Sequence, residues 1–237
     1  MKVRIDGPAD WEIYNEVLVN GEYDRAIVHA LAKNGGNECL ILDLGANVGY
    51  FSFRCADLFF QAAGGRRLRI IAIEGSQRTF KELARRVASE PLLAGHVTVI
   101  HGLAGERVGS AHISDERSHF GNSLTSDKAR AADEVRYVDL MTLLEPQGDI
   151  DLLKCDIEGS EFSLLRNYPD LLRRVRTAVF EFHKYGEDID EYRRLLCSYG
   201  FVRHSVLRET PLFSVELFDR VSNAGSNQHS PEGTTLR

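Results

Sequence analysis

The chain has 237 residues, of which 43% are hydrophobic and 27% are charged, and its formal net charge is −6. This length suits one α/β domain, and the apolar content is high enough for a large core, which excludes general disorder. The acidic excess argues against the broad phosphate-binding surface of a nucleic-acid-binding protein.

Residues 1–37 include the segment WEIYNEVLVNGEYDRAIVHALAK, which predicts helices packed on a sheet. Charged residues follow Met1 without the apolar stretch of a secretory leader, and no segment reaches the ~20 apolar residues of a membrane span. The four cysteines form no C-x-x-C pair, which favours reduced thiols. We therefore expect a cytoplasmic protein with no membrane span.

Between residues 38 and 102, short β-branched runs alternate with amphipathic helical patterns, which is typical of βαβ units in a parallel sheet. The runs are CLILDLG (39–45), LRIIAIEG (68–75) and HVTVIHG (96–102). A helix is predicted after each of the first two runs, and Ser76 is the expected N-cap of the second helix.

Residues 103–135 are less regular, because glycines interrupt polar segments that have no clear period. A long irregular stretch inside a domain indicates a functional lid or a short β excursion. We expect both here: a strand near 110–113 and a mobile loop near 117–127.

The alternation resumes with two buried strands, DIDLLKCDIEG (149–159) and RTAVFEFH (176–183), and Asp188 begins a further helix. FVRHSVL (201–207) and LFSVELF (212–218) are joined by four residues, too few for a parallel crossover. These patterns predict an α/β domain over residues 38–220, with a seven-stranded, mainly parallel sheet, an antiparallel last strand and helices on both faces. The polar residues 221–237 are expected to be disordered.

The strongest local signal is D-x-G-x-N-x-G at residues 43–49, between the first strand and its helix. Gly45 and Gly49 let the backbone turn sharply and approach a ligand, and the helix directs free N–H groups at the same space. This loop could hold the carboxylate of S-adenosylmethionine (SAM), with Asp43 accepting a hydrogen bond from its ammonium group. Glu74 follows Gly49 by 25 residues, close to the spacing at which an acid binds ribose hydroxyls.

Two alternatives compete with SAM binding. A G-x-x-x-G loop occurs in many α/β proteins, and a dinucleotide dehydrogenase also places a glycine-rich loop after its first strand. The dehydrogenase fingerprint is G-x-G-x-x-G, however, and here Asn47 and Tyr50 occupy positions where it has glycine. The combination of strand, loop, helix and terminal acid therefore favours SAM over NAD.

Four blocks of the sequence resemble the FkbM-type methyltransferases, and FEFH (180–183) follows them. The blocks are NGEYD (20–24), LDLGANVGYFSF (42–53), IAIEGSQRTFKEL (71–83) and LLKCDIEGSEFSLL (152–165). The resemblance runs from about Val19 to Phe218, and the K-x-D-x-E-G-x-E pattern of the fourth block is its most specific part. It implies a Rossmann-like class I methyltransferase that converts SAM to S-adenosylhomocysteine. The implied acceptor is a hydroxyl group on a sugar, glycolipid, polyketide or other secondary metabolite.

The resemblance also implies positions for the parts of SAM. The amino acid end would lie near Asp43, Gly45, Asn47 and Gly49. Glu74 would bind the ribose, with Gly75 and Ser76 beside the adenosine. The adenine would be lined by Gly102, Leu103 and Ala104, whereas residues 118–127 match no firm motif of the family.

Acidic residues follow two neighbouring strands on the expected acceptor side. Asp156 ends a central strand, at the edge where open α/β sheets bind ligands, and is expected to face the transferred methyl group. Glu158 and Glu161, at i and i+3, are expected on one face of a starting helix, where they either act on the acceptor or complement the helix dipole. His183 is a candidate general base or a structural residue bonded to the loop, and His119 is a second candidate base.

A divalent metal bound by Asp156 with Glu181 or His183 would lower the pKa of the acceptor hydroxyl. The paired-aspartate pattern of magnesium-dependent O-methyltransferases is not evident, so no metal is predicted. Three rival functions remain: a nucleic-acid methyltransferase, an N-methyltransferase and a SAM-binding protein without catalysis. The first commonly carries an Asn/Asp-Pro-Pro-aromatic loop where this chain has D-I-E-G at 156–159, and we expect no nucleic-acid partner.

Overall fold

The structure, a computed structural model, describes residues 5, 7–62, 65–113, 124–125, 133–145, 147–184 and 188–221. Most of the predicted loop near 117–127, including His119, lies outside the described residues, as does the predicted polar tail from residue 222. Within the described ranges, no helix combines the length and apolar character needed to cross a bilayer.

The secondary structure alternates strands and helices along most of the chain. The strands are β1 (Glu38–Leu44), β2 (Arg67–Glu74), β3 (Val97–His101), β4 (Ser110–Ile113), β5 (Leu124–Thr125), β6 (Asp133–Arg136), β7 (Ile150–Cys155), β8 (Val175–His183), β9 (Phe201–Glu209) and β10 (Phe213–Arg220). The helices are α1 (Pro8–Tyr14), α2 (Asp24–Lys33), α3 (Tyr50–Ala62), α4 (Gln77–Ser89), α5 (Leu140–Leu144), α6 (Glu161–Asn167), α7 (Pro169–Leu172) and α8 (Ile189–Ser198), with a π-helical turn at Asn15–Val19 after α1.

Seven strands of the described chain form one sheet in the order β3-β2-β1-β7-β8-β10-β9. The pairs from β3 to β8 are parallel, and β10 is antiparallel to both of its neighbours, which confirms the predicted fold class. Strand order reverses at β1, since β2 lies on one side of it and β7 on the other. Open α/β sheets bind ligands outside the carboxyl ends of strands at such a reversal.

The two faces of the sheet belong to two separate cores, because alternate side chains of a strand point to opposite faces. Along β1, Cys39 and Ile41 pack with residues of α2 and α3. Leu40, Leu42 and Leu44 pack on the other face with residues of α5 to α8. The strand is therefore buried on both sides, which is why its sequence is a nearly continuous apolar run.

A second, three-stranded antiparallel sheet follows β3, in the order β5-β4-β6. Its strand β4 matches the strand predicted near 110–113. The sheet is joined to the main fold through a bridge between Leu103 and Tyr137. This sheet places Ile113 beside the loop that follows β3.

Polar contacts hold the N-terminal helices to the main domain. Arg86 Nη2 on α4 lies 2.9 Å from Asp10 Oδ2 on α1, and the Tyr50 hydroxyl donates to the other oxygen of Asp10 at 2.7 Å. The Arg208 guanidinium on β9 binds Glu16 in the π-helical turn. These contacts fix α1 and the π-helical turn in position relative to α3, α4 and β9.

Candidate functional site

The loops that follow β1, β2, β3 and β7 surround a cleft of about 670 Å³, here called the loop cleft. Its lining residues are Gly45, Asn47, Ile73, Glu74, Gly75, Ser76, Thr79, Gly102, Leu103, Ala104, Ile113, Asp156, Ile157, Glu158 and Ser160. The cleft lies at the carboxyl edge of the sheet, at the reversal of strand order.

The glycine loop after β1 crosses very close to the strand end of β7. A Cβ at Gly45 would lie 1.7 Å from the carbonyl oxygen of Asp156, and the φ angle of Gly45 is +70°. Only glycine fits this approach without moving the backbone. Asp43 is fully buried behind the loop, where its Oδ2 accepts a hydrogen bond from the Ser52 hydroxyl at 2.6 Å.

The carboxyl group of Glu74 joins two of the loops. Its Oε2 accepts from the backbone N–H of Asn47 at 2.8 Å, and its Oε1 accepts from the backbone N–H of Ser76 at 2.7 Å. Burial raises the pKa of Glu74 to about 7, although both N–H groups favour the carboxylate. Each carboxylate oxygen keeps a second lone pair that can accept from a ligand hydroxyl.

The far wall of the loop cleft is apolar and tightly packed. A Cβ at Gly75 would lie 2.8 Å from both the Ile113 Cδ1 and the Leu103 Cδ2 atoms. Ser76 begins α4 and its hydroxyl accepts from the N–H of Thr79 at 3.2 Å, as predicted for an N-cap. The result is a flat apolar recess beside a polar helix terminus.

A second opening, here called the helix cavity, lies between the N-terminal helices and the carboxyl edge of the sheet, with about 950 Å³ of space that includes open solvent. It is lined by Glu12, Ile13, Glu16, Val17, Tyr23, Ala46, Asn47, Tyr50, Phe51, Lys154, Asp156, Glu158, Glu181, Arg208 and Phe213. Three of these residues, Asn47, Asp156 and Glu158, also line the loop cleft. The two spaces therefore meet at this shared wall.

Two residues of the shared wall have an unusual backbone conformation. Asn47 has a φ angle of +50° and Glu158 one of +53°, the non-glycine residues with positive φ among those described. Such conformations cost of order 1–3 kcal/mol and are concentrated at functional sites. At Glu158 the conformation turns the chain back before α6 begins.

Lys154 is buried between acidic groups beneath the shared wall. Its Nζ donates to the Gly45 carbonyl at 2.7 Å and to Asp156 Oδ2 at 3.1 Å, and it lies 3.8 Å from Asp43 Oδ1. Burial alone would lower the pKa of Lys154, but the charges of Asp156 and Asp43 outweigh it and raise the pKa. Lys154 thus stays charged and joins the glycine loop to the end of β7.

His183 lies in a group of three glutamates next to this lysine. Its Nδ1 lies 3.1 Å from Glu161 Oε1, and its Nε2 lies 3.5 Å from Glu158 Oε2 and 3.6 Å from Glu181 Oε1. Burial alone would lower the pKa of His183, but Glu161 and the charges of Asp156 and Glu158 raise it to about 9. Burial, together with the charge of Asp156, raises the pKa values of Glu158 and Glu181.

The structure brings most of the predicted site residues together around the loop cleft. Those that line it are Gly45, Asn47, Glu74, Gly75, Ser76, Gly102, Leu103, Ala104, Asp156 and Glu158. Asp43 and Gly49 are not in its lining; the first is buried behind the loop, and the second packs against Leu83 and Phe53. His183 is buried and lines neither space, and Glu181 lines the helix cavity.

The prediction that Glu158 and Glu161 share one face of a helix is wrong. The helix α6 begins at Glu161, and Glu158 precedes it in a left-handed turn with Gly159. Glu161 Oε1 instead folds back to accept from the backbone N–H groups of Ile157 and Gly159, at 3.1 and 3.2 Å. These bonds stabilise the turn, so i, i+3 spacing does not apply to the pair.

Sequence reasoning gave no role to several residues around the two spaces. Lys154 stood in the most specific sequence block, K-x-D-x-E-G-x-E, which was the available signal for it. Glu12, Glu16 and Arg208 line the helix cavity, but nothing in the sequence relates the N-terminal segment to β9. Their proximity depends on contacts between distant parts of the chain.

Comparison with known families and structures agrees with this architecture. A sequence model described as the methyltransferase FkbM domain matches residues 43–203. A search of curated protein sequences gave no significant match.

Solved structures share the fold at low sequence identity. An FkbM methyltransferase from Methylobacillus flagellatus KT is 18% identical, with a TM-score of 0.55 over 77% of this chain and 44% of that one. The magnesium protoporphyrin IX methyltransferase ChlM from Synechocystis PCC 6803, solved with bound SAM, is 13% identical, with a TM-score of 0.53 over 91% and 86%. The METTL16 MTase domain is 12% identical, with a TM-score of 0.52 over 92% and 70%. This chain thus spans less than half of the first of these proteins.

Proposed function

Because the chain belongs to the FkbM family of SAM-dependent methyltransferases, we propose that it methylates a hydroxyl group on a small molecule, such as a sugar, a glycolipid or another secondary metabolite. The observation that carries this proposal is the shared wall of Asn47, Asp156 and Glu158. A cofactor in the loop cleft and an acceptor in the helix cavity would meet there. Such contact between methyl donor and acceptor is what in-line transfer requires.

The loop cleft suits SAM in shape and in polar groups. Because Gly45 has no side chain, the loop after β1 leaves space beside Asn47 for the amino acid end of the cofactor. Glu74 offers carboxylate lone pairs to the ribose hydroxyls. A side chain at position 75 would collide with Leu103 and Ile113, so glycine there keeps the apolar recess free for the cofactor. Gly102, Ala104 and Ser76 line the same cleft; in this proposal the first two would contact the adenine, and Ser76 would lie beside the adenosine. Asp43 and Gly49 contribute by fixing the loop from behind.

The helix cavity supports a small acceptor that presents both apolar and polar surfaces. Tyr23, Tyr50, Phe51 and Phe213 supply aromatic surface, and carboxyl groups supply acceptors for hydroxyl hydrogens. The acceptor hydroxyl would lie at the shared wall.

The catalytic group proposed here consists of Asp156, Glu158 and His183. When bound, SAM supplies a methyl group on an electrophilic sulfonium. Asp156, next to the cleft, orients the reacting hydroxyl, and a carboxylate of this group receives the proton that the hydroxyl loses. His183, whose pKa is raised to about 9, is protonated at neutral pH and balances the negative charge of these carboxylates. The loops align the two reactants, and such alignment can lower a barrier by about 7–11 kcal/mol.

A nucleic-acid acceptor is less well supported than a small one. Glu12, Glu16, Glu158 and Glu181 line the cavity, and its two basic residues, Lys154 and Arg208, are already paired with acidic groups. A phosphate about 4 Å from one such carboxylate would meet a repulsion of about 4 kcal/mol at an effective dielectric constant near 20. Neutral or positively charged acceptors avoid this repulsion.

The test is transfer of an isotope-labelled methyl group from SAM to a panel of glycosides, with their amino analogues and a single-stranded RNA in parallel. We expect label in a methyl ether and release of S-adenosylhomocysteine. The Asp156→Asn variant should lower kcat by roughly 100-fold, whereas Asp149→Asn, exposed at the opposite edge of the sheet, should leave kcat unchanged.

Label in an amine or in RNA would assign one of the rival methylations. Tight SAM binding without transfer to any acceptor would indicate a binding protein that does not catalyse.

A further inference from the structure

Two side chains of the shared wall and the buried His183 behind them bring together atoms that commonly bind metal ions. One donor atom from each of Asp156, Glu158 and His183 lies within 4.8 Å of the other two. The His183 Nε2 and Glu158 Oε2 atoms are 3.5 Å apart, close to the separation of about 3.4 Å expected for two ligands at ~2.1 Å from one tetrahedral ion. Small side-chain rotations would therefore bring all three donors to one ion.

The surroundings of His183 are those of a metal-binding histidine. A ligating imidazole usually donates its other ring N–H to a carboxylate, which fixes the ring and its tautomer. Here Nδ1 faces Glu161 Oε1 at 3.1 Å, and Glu161 is fully buried and anchored by two backbone N–H groups. Because His183 lines neither space, its Nε2 reaches the acceptor less directly than the two carboxylates beside it do.

The charges around the shared wall also favour a cation. Among the described residues, two basic side chains, Lys154 and His183, lie within 4 Å of five carboxyl groups, those of Asp43, Asp156, Glu158, Glu161 and Glu181. The Oε2 atom of Glu161, fully buried, has no hydrogen-bond partner within the described ranges. Buried carboxylates in excess of their partners either take up protons or are stabilised by a cation beside them.

We propose that Asp156, Glu158 and His183 bind one divalent first-row transition-metal ion, of which Mn²⁺ and Zn²⁺ are the best matches. An imidazole with two carboxylates suits these ions, whereas Mg²⁺ and Ca²⁺ prefer oxygen ligands alone. Binding of the ion does not depend on the proposed function. Its role in catalysis does, because the ion would lie where the acceptor hydroxyl meets the cofactor.

In that role the ion holds the acceptor oxygen and lowers the pKa of its hydroxyl. The hydroxyl proton is released into the helix cavity, on the acceptor side of the shared wall. The oxygen lone pair forms the new O–C bond while the C–S bond breaks, and the sulfur keeps that electron pair. His183 is then a ligand of the ion and not the general base.

The test is calorimetric titration of the full, chelator-treated chain with MnCl₂, in the absence of SAM and acceptor. We expect one ion per chain. His183→Ala and Glu158→Gln should each weaken binding by at least roughly 100-fold. The matched control is Glu12→Gln, which removes the same charge from the same cavity outside the three ligands and should change the affinity less than about threefold.

Circular dichroism and S-adenosylhomocysteine binding, measured without metal, establish that each variant is folded. Failure of the folded wild-type chain to bind Mn²⁺ with a dissociation constant below 1 mM, with the same result for ZnCl₂, would overturn the proposal. Unchanged affinity in both ligand variants would also overturn it. Since neither result involves methyl transfer, both leave the proposed function to its own test.

Discussion

Glu74 Oε2 accepts a hydrogen bond from the backbone N–H of Asn47 at 2.8 Å, across 27 positions of the sequence. This bond ties the glycine loop after β1 to the end of β2. The other carboxyl oxygen of Glu74, Oε1, accepts a hydrogen bond from the backbone N–H of Ser76, the N-cap of α4. The carboxyl group of Glu74 therefore sets the relative position of two loops that line the same cleft. A ligand that contacts Glu74 depends on the position of both loops.

Replacing Glu74 with Gln is expected to weaken binding of S-adenosylhomocysteine by 10- to 100-fold, about 1.4–2.7 kcal/mol. The amide loses the charge and replaces one of the two acceptor oxygens with a donor. Because burial raises the pKa of Glu74 to about 7, the wild-type affinity should increase from pH 6 to pH 8 as the carboxylate forms. The variant should lack this increase, as calorimetric titrations at pH 6, 7 and 8 would measure.

The control for this prediction is Glu145→Gln, a change of the same kind at an exposed residue remote from the loop cleft. Its affinity and pH profile should follow the wild type. If Glu74→Gln kept the pH-dependent increase, another group would be responsible and Glu74 would not contact the ribose.

Gly45→Ala should abolish cofactor binding and destabilise the fold by more than about 2 kcal/mol. The added Cβ would lie 1.7 Å from the Asp156 carbonyl oxygen, and the φ angle of +70° is unfavourable for alanine. The paired control is Gly148→Ala, where a Cβ meets nothing within 4 Å. Urea unfolding and S-adenosylhomocysteine titration of both variants provide the comparison, and equal stability of the two would contradict the close approach.

The sheet and the loop cleft could be predicted from sequence because their signals are local. Buried parallel strands are continuous apolar runs, and the glycine loop and Glu74 sit at the ends of two of them. The turn at Glu158 could not be predicted, because periodicity does not reveal where a helix begins. It depends on Glu161 folding back to the N–H groups of Ile157 and Gly159.

The helix cavity was beyond sequence reasoning for a different reason. Its N-terminal wall is fixed by ion pairs between residues far apart in the chain, Asp10 with Arg86 and Glu16 with Arg208. Single residues of either sign occur throughout the sequence, and no local pattern indicates which ones pair. The role of residues 1–37 as part of a cavity wall follows only from the folded chain.

Asp10→Ala should disturb the helix cavity and leave cofactor binding in the loop cleft nearly unchanged. Removing one member of a buried ion pair costs about 3–5 kcal/mol, because the partner charge stays buried. Here Arg86 keeps its pair with Glu82 at 2.7 Å, so the cost should lie at or below the lower end of this range. The loss of Asp10 should still loosen α1, and hydrogen exchange in residues 8–19 should become faster. Binding of S-adenosylhomocysteine should stay within about threefold of wild type, because α1 does not line the loop cleft.

Asp170→Ala serves as the control for Asp10→Ala, since its pair with Arg173 is exposed and should contribute less than about 1 kcal/mol. Loss of cofactor binding in Asp10→Ala would show that the N-terminal helices support both spaces rather than the helix cavity alone.

The charge of Lys154 compensates two carboxylates at once, those of Asp43 and Asp156. Lys154→Met should cost about 3–5 kcal/mol, because it leaves the fully buried Asp43 and the half-buried Asp156 without their partner. Asp43→Asn in the same chain removes one of the two charges, so the double variant should be more stable than the sum of the single effects by about 1 kcal/mol or more. Urea unfolding of the wild type, both single variants and the double variant gives the four free energies of unfolding that this double-mutant cycle requires. Strict additivity would mean that the 3.8 Å separation of Lys154 Nζ and Asp43 Oδ1 carries no energetic coupling, and Lys154 would then act only through its bonds to the Gly45 carbonyl and Asp156.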